Sequence, residues 1–268
     1  MEDITTELVR GENSLQRSEK REFTALDRAC LPLVIRAVWV FDSELDIGAM
    51  KAGLQQILNH YPLLSGRMRD KSGVHLTNDG VPVTIADDLD ISSEDVLEIR
   101  NPERRFSTEI KPSRISRGTD PPLSVKVTRV QDGTVLGIQC SHSCMDGDSF
   151  YTMVHNWGRI CRQADFAPPV LDQTLLPTPD AVGKDEVPKM ADEYGWKRIS
   201  RLALVKLLPV LLTGVLSERT KPFHFAVGAL EDIRRRSCAD VPCSTNVALS
   251  ALLTHMLISL FAHSEPTE

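Results

Sequence analysis

Two apolar segments that meet at a tight-turn dipeptide constrain the fold of this chain more than any other feature. They read PLSVKVTRV and TVLGIQCSH, and the dipeptide Asp132-Gly133 lies between them. Asp-Gly between alternating apolar runs is among the strongest short-range signals for a β-hairpin. We therefore expect an antiparallel strand pair here, against which the neighbouring elements pack.

The second strand of this hairpin indicates where the first candidate functional residue lies. Leu136, Ile138 and Cys140 alternate with small or polar residues. Side chains two positions apart point to the same face of a strand. If the strand extends far enough, His142 stands at the end of this apolar row.

A helix is predicted directly after the hairpin. Gly147 is followed by apolar residues that form one continuous helical face, namely Phe150, Met153, Val154, Trp157, Ile160 and Cys161. The segment HSCMDG therefore lies on the loop that joins a strand to a helix, where functional side chains are often displayed.

The rest of the chain alternates between strand and helix patterns. Leu33–Phe41 reads as a buried strand because it is rich in β-branched and aromatic residues. A helix that ends at Pro62 follows from the spacing of Met50, Leu54, Ile57, Leu58 and Tyr61. Short strands are expected over 66–88, while 89–121 has no clear pattern.

Toward the end of the chain, a short strand is predicted at Phe223–Leu230 and a last helix after the candidate caps Ser244 and Thr245. This helix carries an apolar stripe that we expect to be buried, made of Leu249, Leu252, Leu253, Met256, Leu257 and Leu260.

Charge and hydropathy exclude two classes of partner. The net charge is −6 and no block of Lys and Arg stands out, so we expect no nucleic-acid binding. The apolar segment Leu202–Leu216 is interrupted by Lys206 and Pro209 and is shorter than the ~20 residues that cross a bilayer. It reads as buried or partly amphipathic, with a membrane-contacting helix as the alternative.

The polar N-terminus lacks the apolar core of a secretory signal, and we expect a cytoplasmic protein without a membrane partner.

The cysteines suggest neither a disulfide framework nor a zinc site. None of them forms a CxxC pair, and reduced thiols are the simplest interpretation for Cys30, Cys140, Cys144, Cys161, Cys238 and Cys243. His142 and Asp146 are four residues apart, but no cluster supplies the further ligands that zinc needs. We therefore predict no metal. A nucleophilic Cys144 is disfavoured because free cysteines are usually buried.

Each residue of the loop allows more than one interpretation. His142 is either a satisfied histidine at a strand end or a general base kept neutral by partial desolvation. Asp146 either caps the helix or braces the loop through an ion pair with an arginine elsewhere. Gly147 is expected to supply backbone freedom at the turn.

The segments described above resemble those of a known protein family. HSCMDGDSF resembles the HxxxDG signature of the BAHD acyltransferases, which move acyl groups from coenzyme A thioesters to alcohols or amines. FTALDRACLPLVIRAVWVF and LQQILNHYPLLSGRMR resemble segments that precede the signature in that family, and PPLSVKVTRVQDGTVLGIQCSH resembles the hairpin that carries it. FHFAVGALEDIRRR and CSTNVALSALLTHMLISL resemble the start of the second domain. The resemblance spans roughly residues 23–262, and Ser141 before the histidine favours this branch over relatives with a double histidine.

The resemblance implies a fold and a site. The fold would be α/β, a mixed sheet with flanking helices, built as one chloramphenicol acetyltransferase-like domain and the start of a second. His142 would be the catalytic general base, Asp146 the structural support of the loop and Gly147 the motif glycine. Acyl-CoA would be the co-substrate and a small molecule the acceptor. No permanently bound cofactor is implied, and the coenzyme A-binding residues remain unknown.

The chain also departs from the family pattern. The second signature, Asp-Phe-Gly-Trp-Gly, is absent, and EYGWK at 193–197 resembles it only superficially. We expect a disordered N-terminus over 1–21, the domain with the signature over 22–164, a linker over 165–221 and an incomplete second domain over 222–268.

Two alternatives to an active acyltransferase of this family therefore stay open. One is a truncated, inactive relative that acts as a binding or interaction protein. The other is a condensation-type enzyme that uses carrier-bound substrates. If the chain end is natural, a homodimer that completes the channel is a further expectation.

Overall fold

The computed structural model describes residues 4–12, 19–172, 223–237 and 242–262, together with isolated positions between 175 and 209. The chain separates into two compact units, Met1–Thr178 and Pro179–Glu268. The finer boundaries expected after residues 164 and 221 stay predictions.

The first unit is built on a mixed five-stranded sheet. Its strand order is β1-β6-β7-β8-β3, and a second sheet has the order β2-β5-β4. Strands β6 and β7 are parallel, whereas the other neighbours in the large sheet are antiparallel. The strands are β1 (Thr5–Val9), β2 (Lys20–Glu22), β3 (Val34–Phe41), β4 (Arg67–Asp70), β5 (Gly73–His75), β6 (Val81–Asp88), β7 (Leu123–Val130) and β8 (Gly133–Ser141).

Helices cover both faces of the large sheet. The long helices α2 and α6 pack on one face, and the short helices that follow β6 lie toward the other. In the first unit the helices are α1 (Ala25–Ala29), α2 (Ile47–His60), α3 (Ser93–Glu98), α4 (Glu103–Phe106), α5 (Pro112–Ile115) and α6 (Gly147–Cys161), with a 3₁₀ turn at Pro62–Ser65. The second unit contains α7 (Val227–Ser237) and α8 (Thr245–Ala262).

The central hairpin is confirmed, with its turn one residue earlier than expected. Val130 pairs with Gly133, so Gln131 and Asp132 form the loop. Gly133 serves a different purpose, because a Cβ on it would lie 2.0 Å from the Phe41 carbonyl oxygen at the end of β3. The glycine therefore permits close contact with the neighbouring strand. The Asp132 carboxylate accepts hydrogen bonds from the Ser93 backbone N–H and hydroxyl at 2.6 and 3.0 Å.

Strand β8 is buried along its whole length, and its two faces have different roles. Leu136, Ile138 and Cys140 belong to the main apolar core with α2 and α6. On the opposite face, the Gln139 side-chain amide donates to the Ser107 hydroxyl at 2.6 Å and accepts from the Ile110 N–H at 3.2 Å. A polar side chain in the sheet interior is thus fully engaged, as burial requires.

The N-terminus is more ordered than its composition suggests. The expected disorder over 1–21 is wrong for β1 and for the start of β2, since β1 pairs along its length with β6. Most β1 side chains stay exposed, and the Glu7 carboxylate forms a 2.8 Å ion pair with Lys51. An edge strand of this kind is stabilised by backbone pairing, which polar side chains do not reveal.

Two expectations for the second unit are also wrong. Val227–Leu230 begins helix α7 and is not strand, because the charged residues that follow continue a helical pattern. The stripe on α8 is largely exposed, with Leu253 at 48% and Leu260 at 69%, while its N-cap Ser244 is confirmed by a 3.3 Å bond from the Val247 N–H. Most of Leu202–Leu216 lies outside the described residues.

The cysteines follow the expectation in part. Cys30, Cys140, Cys144 and Cys161 are free thiols. Cys243 is disulfide-bonded, so reduced thiols throughout the chain was wrong at this position. Within the described ranges, no helix is long and apolar enough to span a membrane.

Gly137 yields a stability prediction. A Cβ at this position would lie 1.8 Å from the Phe106 carbonyl oxygen, which belongs to backbone that cannot move aside cheaply. We expect Gly137→Ala to lower the free energy of unfolding by about 2–3 kcal/mol or more. Gly158→Ala is the control, because its site in α6 meets no atom closer than 3.4 Å and a helical alanine gains up to about 1 kcal/mol. Urea unfolding of both variants checks the prediction, and equal stabilities would contradict it.

Candidate functional site

The predicted strand, loop and helix are all present around the signature. Strand β8 ends at Ser141 and α6 begins at Gly147. The His142 backbone N–H donates to the Leu33 carbonyl at 3.0 Å, and the Cys144 N–H donates to the Ser141 carbonyl at 3.0 Å. The loop is therefore tied both to the start of β3 and to itself, which fixes the position from which the histidine side chain projects.

The imidazole of His142 is not held by a hydrogen bond to any described residue. The side chain is partly exposed, and within the described part of the chain its ring makes no hydrogen bond or ion pair. The strand residues behind it are buried, with Leu136 at 5% and Ile138 at 0% exposure. An imidazole that borders apolar packing and is open on one side can exchange a proton with an incoming group.

Asp146 caps helix α6. Its carboxylate accepts the Ser149 backbone N–H at 2.8 Å, and its carbonyl accepts the Phe150 N–H at 3.0 Å. The hydrogen bonds from Ser149 lower the pKa of the Asp146 carboxyl, and the positive charge that His142 can carry adds to the effect. Of the two interpretations of this residue, capping is the one observed. The alternative, an ion pair with an arginine, is not found among the described residues.

Gly147 occupies a different environment from the one expected. It is the first residue of α6, and it is not among the described glycines with positive φ. A Cβ built on it meets no described atom within 4 Å. Neither backbone freedom nor packing in this unit therefore requires a glycine, and open space adjoins the position.

The thiols beside the histidine are poorly suited to nucleophilic attack. Burial raises the pKa of the Cys140 thiol to about 12. Burial likewise raises the pKa of Cys144 well above its ordinary value, with the nearby Cys140 adding to the shift. Because the thiolate is the nucleophile, both groups are held in the unreactive form.

Ser143 is a buried residue of the loop that the sequence did not single out. Its side chain is 4% exposed, and its hydroxyl has no hydrogen-bond partner in the described structure. An unsatisfied buried hydroxyl costs about 1–3 kcal/mol, so its presence next to His142 needs an explanation. The sequence offered no signal, because burial of a loop serine depends on the packing around it.

Among the residues that the structure describes, no three His, Cys, Asp or Glu side chains cluster as metal ligands would.

Comparison with known proteins identifies the family to which the chain belongs. A family model described as Transferase family matches residues 2–199. Vinorine synthase of Rauvolfia serpentina is 27% identical over 60% of this chain and 42% of that protein. Tryptamine hydroxycinnamoyltransferase 2 of Oryza sativa subsp. japonica is 30% identical over 60% of this chain and 39% of its own length. The chain thus spans about two-fifths of the length of these relatives.

Solved structures share the architecture. The crystal structure of vinorine synthase aligns with a TM-score of 0.51 at 19% identity, over 82% of this chain and 63% of that one. F. graminearum TRI101 complexed with coenzyme A and deoxynivalenol aligns with a TM-score of 0.57 at 15% identity, over 88% and 59%. At such identities the likeness shows the fold alone. The predicted fold class, a mixed α/β sheet with flanking helices of the chloramphenicol acetyltransferase type, is confirmed.

The capping role of Asp146 has a pH signature. We expect Asp146→Ala to lower the free energy of unfolding by about 1 kcal/mol near neutral pH. Because the pKa of this carboxyl is lowered in the folded state, its contribution is complete above the unfolded pKa of about 4 and is lost as the pH falls through the folded pKa. Asp146→Asn is the control, since asparagine caps without titrating. Chemical unfolding from pH 7 to pH 3 measures both, and an alanine penalty that stays constant with pH would contradict the assignment.

Proposed function

This chain belongs to the Transferase family, the family of the BAHD acyltransferases that its sequence resembles, and on that premise we propose that it transfers an acyl group from an acyl-CoA thioester to a hydroxyl or amine. His142 is the general base of this reaction. The observation that supports this role is the imidazole itself. It is partly exposed, has no hydrogen-bond partner among the described residues, and lies on a loop held by backbone hydrogen bonds.

The proposed reaction needs one proton shuttle. The imidazole of His142 takes the proton from the acceptor hydroxyl or amine as that atom attacks the thioester carbonyl. The tetrahedral intermediate collapses, the carbon–sulfur bond breaks, and the imidazolium returns the proton to the leaving thiolate of coenzyme A. A positioned base of this kind contributes about 10²–10⁴-fold to the rate. The structural neighbour TRI101, which is complexed with coenzyme A, supports acyl-CoA as the co-substrate.

Asp146 and Gly147 have supporting parts in this proposal. Asp146 holds the first turn of α6 through the Ser149 N–H, and this turn fixes the end of the loop that follows His142. Gly147 leaves open space at the same turn, where a side chain would narrow the approach of substrate. Neither residue takes part in proton transfer.

A non-catalytic binding role is the second candidate. The observation that favours it is the apolar stripe of α8, where Met256 and Leu257 are 51% and 54% exposed. Exposed apolar surface of this kind commonly marks an interaction site. A folded wild-type chain that turns over no acyl-CoA would favour this candidate over acyl transfer.

The role of His142 is tested by substitution. We expect His142→Ala to lower kcat by about 10²–10⁴-fold while the melting temperature stays near that of the wild type, because the ring makes no hydrogen bond to a described residue. The measurement is coenzyme A release from several acyl-CoA donors with alcohol and amine acceptors. His155→Ala is the matched control, since His155 is exposed on α6 and should retain full activity. Turnover by His142→Ala equal to that of the wild type would remove the histidine from the mechanism.

The unpartnered hydroxyl of Ser143 gives a stability prediction. We expect Ser143→Ala to leave the free energy of unfolding unchanged or to raise it, because no hydrogen bond to a described residue is lost. Thr128→Val is the control and should show the same effect, because Thr128 on β7 also has a buried hydroxyl without a partner among the described residues. Urea unfolding measures both variants, and a loss of more than about 1 kcal/mol in Ser143→Ala would show that the hydroxyl is bonded.

A further inference from the structure

A pocket lies in the first unit where the segment after β1 meets the loop between β5 and β6. Its volume is about 320 Å³, and it is lined by Arg10, Arg69, Thr77, Asn78 and Asp79. None of these residues has a part in the proposed acyl transfer.

The rim of the pocket is held by specific hydrogen bonds. The Asn78 side-chain oxygen accepts the Gly11 N–H at 3.0 Å, and its amide nitrogen donates to the Gly11 carbonyl at 2.8 Å. Asn78 has a φ of 50°, a left-handed conformation that asparagine tolerates better than most residues. The Glu12 N–H further donates to the Asn59 side chain at 2.8 Å. These contacts hold the chain after Arg10, and the pairing of Val9 with Val81 holds it before Arg10, although the sequence there reads as disordered.

Positive charge gathers at this pocket without a paired carboxylate. The guanidinium groups of Arg10 and Arg69 make no hydrogen bond or ion pair with a described residue. Nearby, the Arg67 guanidinium donates to the backbone carbonyls of Ser65, Gly66 and Gly80. Burial lowers the pKa of Arg67. The carboxylates of Asp79 and Asp120 oppose this shift, and the charge of Arg10 adds to it. The local excess of positive charge favours an anionic ligand.

Asp79 narrows the choice of anion. Its carboxylate lines the pocket together with two arginines, yet it forms no ion pair with either. A carboxylate repels an oxyanion that carries no proton, but it accepts a hydrogen bond from one that does. Inorganic phosphate keeps at least one proton at neutral pH, whereas sulfate keeps none. A phosphate monoester, with a second pKa near 6, is largely unprotonated at neutral pH.

We propose that this pocket binds free inorganic phosphate in a protonated form. Arg10 and Arg69 donate to the phosphate oxygens and balance their charge, and the phosphate O–H donates to the Asp79 carboxylate. Because Arg10 follows β1 and the other ligating residues lie on β4 and the β5–β6 loop, the bound ion ties the N-terminal segment to the body of the unit. Binding therefore stabilises the folded chain by mass action. The proposal is independent of the acyl-transfer reaction.

The test measures anion binding to the full chain. Inorganic phosphate, sulfate and methyl phosphate are titrated at constant ionic strength, with melting temperature and calorimetric heat as readouts. We expect saturable stabilisation by inorganic phosphate, with an affinity at least tenfold above those of sulfate and methyl phosphate. Equal effects of phosphate and sulfate in the wild type would overturn the proposal. Tighter binding of methyl phosphate would overturn the assignment to free phosphate.

Variants test the individual residues. Arg10→Ala and Arg69→Ala should each weaken phosphate binding at least tenfold, while Arg100→Ala, at an exposed arginine outside the pocket, should bind as the wild type does. Asp79→Asn should bind sulfate more tightly and so reduce the preference for phosphate. Unchanged phosphate binding by Arg10→Ala and Arg69→Ala, with both shown to fold by their melting transitions, would refute the site.

Discussion

Close backbone contact on strand β8 is the constraint on which the first unit depends. All nine residues of the strand are buried, and each face accepts a different neighbour. One face carries the apolar row that packs against α2 and α6. The other must admit the backbone of α4, which passes so near that only a glycine fits at Gly137. Since β8 also pairs with β7 and β3, its register fixes both neighbours and the position of the loop that follows it.

The position of the candidate site is fixed by this strand. His142 comes directly after β8, and its backbone is bonded to Leu33 just before β3. Asp146 then starts α6 by capping it. The loop is thus held by a sheet on one side and a helix on the other, while the imidazole between them stays available. A rigid mounting with a free functional group is what a positioned base requires.

The spacing of apolar residues predicted the helices and strands that bury one face. It missed the elements that are held mainly by backbone pairing. Strand β3, helix α2, the hairpin and helix α6 all lie close to where the sequence placed them. Strand β1 was missed because its exposed polar side chains carry no alternation, and Val227–Ser237 was misread because a short apolar run suits either structure. The candidate site divides in the same way. The motif located His142 and Asp146, but the burial of Ser143 and the meeting of Arg10 with Arg69 depend on packing between segments distant in sequence.

The pairing of the first strand also has a consequence for biosynthesis. Thr5 of β1 lies opposite Ile85 of β6, so β1 is synthesised some eighty residues before the strand with which it pairs. Until then β1 is free, and afterwards the open edge of β6 remains exposed until β1 returns to it. An unpaired edge of this kind invites association with other chains. The polar and charged side chains of the N-terminal segment disfavour such association while β1 is unpaired.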